Sequence, residues 1–390
     1  MEFRLTPEQI DLRDRVRSLA EKELKPLASK WDEEELFPTT TVARCAESGL
    51  FGLTVPRAYG GQGLGPIEAI LVIEELAKAC ANTAEVVFDG LIGPVQVVTH
   101  FGSEAQRQQI LPRAARGDML IGIAISEAQS GSASTDMVSR ARVDGNGLVL
   151  NGIKTYVEDT SAMHAFLVYT KFDDRPGAKS IGGVLVEKGT PGFRIGPPRR
   201  KMGLRGCIQA DLYFEDCRIP RENVIVGPGE FGKLMTAFNL ERCGNAAMAL
   251  GIASAALELA IDYAKERTQF GRTLSEFQGL QWMLARMATK VEAARLLIYR
   301  AVSNAATGFP SIIEASMAKA YANEMAIEVT NNALQVFGAR GYLREYPLER
   351  MVRDARAWSI AGGTVEIQLN QIAAQLFGRR FSQRPPAVAV

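Results

Sequence analysis

Histidine is almost absent from this chain: its 390 residues include only His100 and His164. The five cysteines, Cys45, Cys80, Cys207, Cys217 and Cys243, show no C-x-x-C spacing. These scarcities leave little from which to build a zinc site or a Cys/His nucleophile, and no metal centre is indicated. The odd cysteine count also gives no disulfide framework, which suits a reducing cytoplasm. A net charge of +1 offers no electrostatic argument for nucleic acid or for a polybasic membrane contact. The first residues, MEFRLTPEQIDLRDRV, are charged from the outset and read as a helix, not a signal peptide. No apolar run reads as long enough to span a bilayer, and no internal repeat is evident. The chain reads as a soluble protein.

What is present is ample apolar content, 47% of residues, enough to bury the cores of two or three domains. Residues 1–117 carry helical signals. Thr6-Pro7-Glu8-Gln9 reads as an N-cap with proline at the first helical position, and Leu5, Ile10, Leu12, Val16 and Leu19 follow as an apolar stripe. A Gly-rich loop runs from Pro56 to Pro66, and a helix from Ile67 to Ala79. In the next stretch Glu85 and Asp89 stand four apart, so on a helix they share a face, the pattern of a solvated surface.

Residues 118–226 change texture to strands. Arg142 to Val149 bracket the turn Asp144-Gly145-Asn146-Gly147, a hairpin signal. Ala165–Thr170, Ile181–Val186 and Ala210–Phe214 are short apolar or alternating runs. From 227 to 390 the chain is helical again: Leu280, Leu284, Met287, Val291, Ala294, Ile298 and Ala301 form a long bundle seam closed by Gly308 and Pro310, and Ile313–Phe337 is a further helix. The expected class is α+β: an N-terminal α-helical domain, a middle β-barrel-like or β-sandwich domain, and a C-terminal antiparallel four-helix bundle.

One stretch organises the rest. Glu241 to about Arg267 is Ala-rich and proline-free, and its small residues Gly251, Ala253, Ala255 and Ala256 permit close backbone approach. As one helix it places Glu241 and Arg267 roughly 39 Å apart. They cannot serve one small-molecule site in one subunit, so a symmetric oligomer is implied, with sites built from two chains.

Several motifs follow one another in a fixed order. They are Ala124-Ile125-Ser126-Glu127 with Gly131-Ser132, then Asn151-Gly152-Ile153-Lys154-Thr155-Tyr156-Val157-Glu158, then Lys201-Met202-Gly203-Leu204-Arg205-Gly206. After these come Glu266-Arg267-Thr268-Gln269-Phe270-Gly271-Arg272 with Phe277-Gln278, Gln335-Val336-Phe337-Gly338, and Glu349-Arg350 with Arg353-Asp354-Ala355. Together they resemble the acyl-CoA dehydrogenase superfamily of FAD flavoproteins. The resemblance implies that Ile125, Ser126, Ser132, Tyr156, Val157 and Glu158 contact the flavin, with Ser132 also near the thioester. It further implies that Arg267, Gln269, Phe270, Gln278, Gln335, Val336, Gly338, Thr364 and Glu366 bind the FAD of a neighbouring subunit. A homotetramer, an acyl-CoA substrate and an electron-transfer flavoprotein as acceptor come with it.

The departures matter as much. Ala128 and Ala133 replace a proline and an aspartate of the first motif, and Glu158 replaces a hydroxyl that bonds flavin N5. A carboxylate beside N5 would disfavour the anionic reduced ring, so its side chain is expected to turn away. Taken without the resemblance, the Lys201 motif reads as a structural strand and turn with surface bases, and the Glu349–Ala355 motif as a salt-bridged helix face.

The usual base is missing too. The segment Ile360-Ala361-Gly362-Gly363-Thr364 has no side chain at Gly362, whose backbone N–H can still stabilise an enolate. Phe238-Asn239-Leu240-Glu241-Arg242 matches the family's second base position. Glu241 is therefore the candidate base, Phe238, Arg242 and Glu85 the candidate substrate contacts beside Ser132, and α,β-dehydrogenation of an acyl-CoA the expected reaction. Read from the residues alone, Glu241 is also a helix-start carboxylate paired with Arg242. Two alternatives stand beside it. One is a non-redox lyase like 3-sulfinopropanoyl-CoA desulfinase, a relative with a similar IAGGT segment. The other is a dehydrogenase of carrier-protein-bound acyl or prolyl groups.

Overall fold

Thr6 caps the first helix reciprocally: its hydroxyl accepts from the Gln9 N–H at 3.3 Å, and the Gln9 side chain accepts from the Thr6 N–H at 3.0 Å. The computed structural model describes residues 4–305 and 308–384, so the first three residues of the charged N-terminus lie outside it. Seven helices lead the chain, α1 (Pro7–Leu19), α2 (Ala28–Glu33), α3 (Thr39–Glu47), α4 (Pro66–Ala79), α5 (Ala81–Ile92), α6 (Pro94–Phe101) and α7 (Glu104–Ala115). All twelve residues of α5 are buried, because the helix packs against α4, α6 and the long helix that follows the sheet. The solvated face expected for Glu85 and Asp89 is therefore not there.

The middle of the chain forms one mixed eight-stranded sheet. Its strands are β1 (Ile121–Ala124), β2 (Arg140–Asp144), β3 (Gly147–Val157), β4 (Ala165–Lys171), β5 (Ile181–Glu187), β6 (Phe193–Ile195), β7 (Ala210–Pro220) and β8 (Val224–Val226). They run in the order β6-β7-β3-β2-β4-β5-β8, with β1 parallel to β4. The expected hairpin closes on the pair Asp144 and Gly147. Against β7, β3 slips register between Leu150 and Gly152 and again between Lys154 and Val157. The second slip leaves Tyr156 in left-handed backbone at φ +58°. Irregularities of this kind re-aim side chains, here on the strand that carries the Lys154–Glu158 motif.

Five helices follow: α8 (Phe231–Glu266), α9 (Gln278–Ser303), α10 (Ile312–Phe337), α11 (Leu348–Trp358) and α12 (Val365–Leu376). Helix α8 begins ten residues before Glu241, so that residue lies inside it, not at its start. Helix α9 ends at Ser303, short of the expected Gly308–Pro310 stop. By length and composition α8 could cross a membrane, contrary to the sequence reading, yet 83% of its most apolar stretch is buried in the core. The small residues do what was expected of them. A Cβ on Gly251 would lie 2.5 Å from the Glu74 carbonyl of α4, and one on Gly244 would lie 2.3 Å from the Phe88 ring of α5.

Arg353 rivets the three regions together. It donates to both oxygens of Asp32 at 3.0 and 2.6 Å, to Glu349, and to the Met202 carbonyl. Asp354 beside it accepts from the Leu204 N–H at 2.6 Å. This is the salt-bridged helix face that the E-R-x-x-R-D-A pattern suggested.

Candidate active site

The helical and sheet regions enclose a cavity of about 690 Å³. Its sheet wall is fastened by a buried ion pair. Glu127 Oε1 accepts from Lys154 Nζ at 2.8 Å and from the Ser139 N–H at 3.0 Å, while Oε2 accepts from the Val138 N–H at 2.6 Å. Lys154 also donates to the Ile125 carbonyl at 3.0 Å, and the Thr155 N–H to the Ser126 carbonyl at 2.9 Å. Burial works to raise the Glu127 carboxyl, but the Lys154 charge and these hydrogen bonds hold it below its ordinary range. Burial pulls Lys154 down to about 8, against the attraction of Glu127. The pair locks two motifs far apart in sequence, so Ile125, Ser126, Ser132, Tyr156, Val157 and Glu158 all line one cavity.

The Glu158 carboxylate is held by two donors, Lys201 Nζ and Gln209 Nε2, each at 2.6 Å. Lys201 is therefore not a surface base but the partner of Glu158. Asp159, fully buried next to it in sequence, has no partner for either oxygen among the described residues, and burial pushes its carboxyl up to about 7.

The helical wall carries the candidate base. Glu241 is 7% exposed, and Phe238, Arg242 and Asn245 line the cavity with it. Burial raises the Glu241 carboxyl to about 8, with Arg242 and Lys319 opposing. Arg242 donates to Asn239 Oδ1 and lies 5.3 Å from the Phe238 ring centre. Asn245 Nδ2 donates to the Glu241 carbonyl at 2.8 Å, leaving Oδ1 without a partner.

Gly362 sits between α11 and α12 at φ +64° and also lines the cavity. Among the described residues its N–H makes no backbone hydrogen bond. The segment around it is held from below by Lys319 of α10, which donates to the carbonyls of Trp358 at 3.3 Å, Ala361 at 2.6 Å and Gly363. Asn323 also donates to Trp358. Burial draws the Lys319 ammonium down to about 7, Arg242 adding to the fall and Glu241 opposing it.

Glu85, a candidate substrate contact, lines the same cavity, and so does Asp89. Thr364 lines it as well and caps α12, accepting from the Ile367 N–H at 3.3 Å. The other residues assigned to a cofactor lie elsewhere. Arg267 ends α8, and Gln269 and Phe270 sit on a two-stranded ribbon, β9 (Thr268–Gln269) with β10 (Arg272–Thr273). Phe270 at its tip is 93% exposed. Gln278 starts α9, Gln335 and Val336 end α10 before Gly338, and Glu366 opens α12. Val336 is buried in the core.

The sequence reading missed Asn245, Lys319 and the pairing of Glu127 with Lys154. A lysine in the otherwise apolar run of α10 and an asparagine four residues after Glu241 were the available signals.

Sequence models of the acyl-CoA dehydrogenase N-terminal, middle and C-terminal domains match residues 6–118, 122–217 and 231–377. This chain belongs to the acyl-CoA dehydrogenase family. It is 41% identical over 390 residues to the 3-sulfinopropanoyl-CoA desulfinase of Paraburkholderia xenovorans, covering 99% of this chain and 100% of that one. It is 37% identical over 378 residues to a short-chain specific acyl-CoA dehydrogenase of Clostridium acetobutylicum, covering 97% and 100%. The solved butyryl-CoA dehydrogenase of Megasphaera elsdenii superposes with a TM-score of 0.94 at 33% identity, covering 97% and 100%. The fold is thus the α+β arrangement expected.

Members of this family bind FAD. The residues here fit that group: Thr155 Oγ1 is buried in the cavity wall without a partner among the described residues, and the neighbouring Tyr156 offers an exposed ring.

Proposed function

We propose that this chain is an FAD-dependent acyl-CoA dehydrogenase that introduces an α,β double bond into an acyl-CoA thioester. The observation that carries the reading is Glu241, a buried carboxylate on the cavity wall raised to about 8. A base of that strength is matched to removing an α-proton near neutrality. In this reading Glu241 takes the proton, and the Gly362 N–H donates to the thioester oxygen as negative charge builds there. Phe238, Arg242 and Ser132 would shape the thioester end. Bound FAD would supply the hydride acceptor for the β-carbon, held by Ile125, Ser126, Ser132, Tyr156, Val157, Glu158 and Thr364.

Arg267, Gln269, Phe270, Gln278, Gln335, Val336, Gly338 and Glu366 would serve the FAD of a second subunit in a homotetramer. Their distance from the cavity and the exposed Phe270 support this. An electron-transfer flavoprotein would take the electrons onward.

A second reading, a non-redox desulfinase-like lyase, is favoured by the 41% identity with one such enzyme and by the lack of a side chain at Gly362. Glu241 and the acidic Glu85 argue against it, since a sulfinate tail is anionic. Stopped-flow reduction of the flavin by an acyl-CoA, compared with Glu241→Gln, separates them. A loss of at least about a hundredfold is expected, and an unchanged rate would remove Glu241 from the mechanism.

A further inference from the structure

Part of the cavity carries two acidic groups that form no ion pair among the described residues. Glu85 and Asp89 stand one helical turn apart on α5, each 6% exposed, and both line the cavity. Among the described residues Glu85 Oε2 has no hydrogen-bond partner. Of the cations nearby, Lys201 is bonded to Glu158, and Arg242 donates to Asn239 and is offset by the adjacent Glu241, its Nε unpartnered among the described residues. An independent group on α8 makes the same demand. Asn245 is 2% exposed, lines the cavity, and its Oδ1 acceptor is unpartnered. Buried acceptors without partners are costly, and a ligand that brings donors relieves that cost.

The kind of donor follows from charge. Burial pushes both carboxyls well above their ordinary range; Asp89 and Asp159 add to the rise at Glu85, where Lys201 opposes it, and Asp159 and Glu241 add to the rise at Asp89. A carboxylate or sulfinate tail would add a further negative charge. A hydrocarbon tail would leave the repulsion as it is, and a hydroxyl would bond without neutralising it. An ammonium supplies both donors and charge, and Phe88, Phe238 and Trp358 in the same lining offer aromatic surface to its stem.

We propose that the acyl group selected by this site carries a cationic amine, held by Glu85 and Asp89. The inference rests on the acyl-CoA reading of the cavity.

The test measures affinity, not turnover, by perturbation of the flavin spectrum and by equilibrium dialysis of the FAD-loaded protein. The ligands are a matched series of hexanoyl-, 6-aminohexanoyl-, 6-hydroxyhexanoyl- and adipoyl-CoA. The amino thioester should bind at least about tenfold more tightly than hexanoyl-CoA, with adipoyl-CoA the weakest of the series. In Glu85→Gln/Asp89→Asn, or in Glu85→Gln alone, that ratio should collapse toward one. The proposal is overturned if hexanoyl- or adipoyl-CoA binds as well as the amine, if the hydroxyl compound is preferred, if no thioester binds, or if the preference survives the substitutions. Selective binding of the amine without any flavin reduction would sink the dehydrogenase reading and leave this one standing.

Discussion

Gly362 stands directly against Asn245: a Cβ at Gly362 would lie 2.6 Å from Asn245 Oδ1 and 3.0 Å from its Cγ. The resemblance to the family implies a glutamate base at this position; here a left-handed glycine at φ +64° faces a buried asparagine amide. The contact joins α8 to the α11–α12 connection, and the first prediction follows from it.

Gly362→Glu should destabilise the protein by about 1–3 kcal/mol through backbone strain and the clash with Asn245. Adding Asn245→Ala should return part of that loss. Urea unfolding of the two single variants and the double variant closes the cycle. Strictly additive effects would contradict the steric link.

Glu241 makes the chemistry pH-dependent. As the base it acts deprotonated, so the second-order rate of flavin reduction should rise with pH through an apparent pKa near 8. Stability should run the other way. Its folded value lies above its ordinary 4.5, so the folded state binds the extra proton, and that contribution is lost as pH rises from about 4.5 through about 8. Asp159, raised to about 7, acts in the same direction. Urea midpoints across this window should fall less steeply in Glu241→Gln than in the wild type.

Lys319→Met should remove the support beneath Gly362 without touching the cavity lining. The Ala361 carbonyl loses the donor it has in this structure, at about 1–3 kcal/mol before relaxation, while the Trp358 and Gly363 carbonyls keep Asn323 and Gln368. We expect a lower melting temperature and a fall in kcat larger than any change in KM. Lys319→Arg should not restore the wild type, because a planar fork does not reproduce a point donor to three acceptors. A variant with normal kcat and lowered stability would limit Lys319 to a purely structural role.

Lys154→Met leaves the Glu127 carboxylate buried without its cation, which should cost about 3–5 kcal/mol. The same change frees the two loops that carry Ile125–Ser126 and Thr155–Glu158. FAD content, read from the ratio of visible to ultraviolet absorbance, should therefore drop together with stability. Full flavin occupancy would show that the loops hold their places without the ion pair.

Much of this architecture was legible because its signals are local. Thr6 with Gln9, the Asp144–Gly147 turn, and the small residues at Gly251 and Ala253 act within a few residues or demand one near neighbour. The site was legible where a motif carried it: residues from the Ser126, Tyr156, Glu241 and Gly362 segments meet in one cavity. What sequence could not give was direction. Glu85 and Asp89 at a spacing of four describe a helix face, and only the packing of α5 beneath α4 and α8 decides that this face looks into a cavity and not into water. The bonds of Lys319 to the Trp358–Gly363 segment and of Lys154 to Glu127 span tens of residues, and neither partner announces the other.

The central claim is best tested by anaerobic titration of the FAD-loaded protein with a panel of acyl-CoA thioesters, following the visible flavin band. Bleaching by a saturated thioester, and not by its enoyl counterpart, is the result this account predicts. An unbleached flavin, with 3-sulfinopropanoyl-CoA cleaved and sulfite released, would contradict it and put the lyase reading in its place.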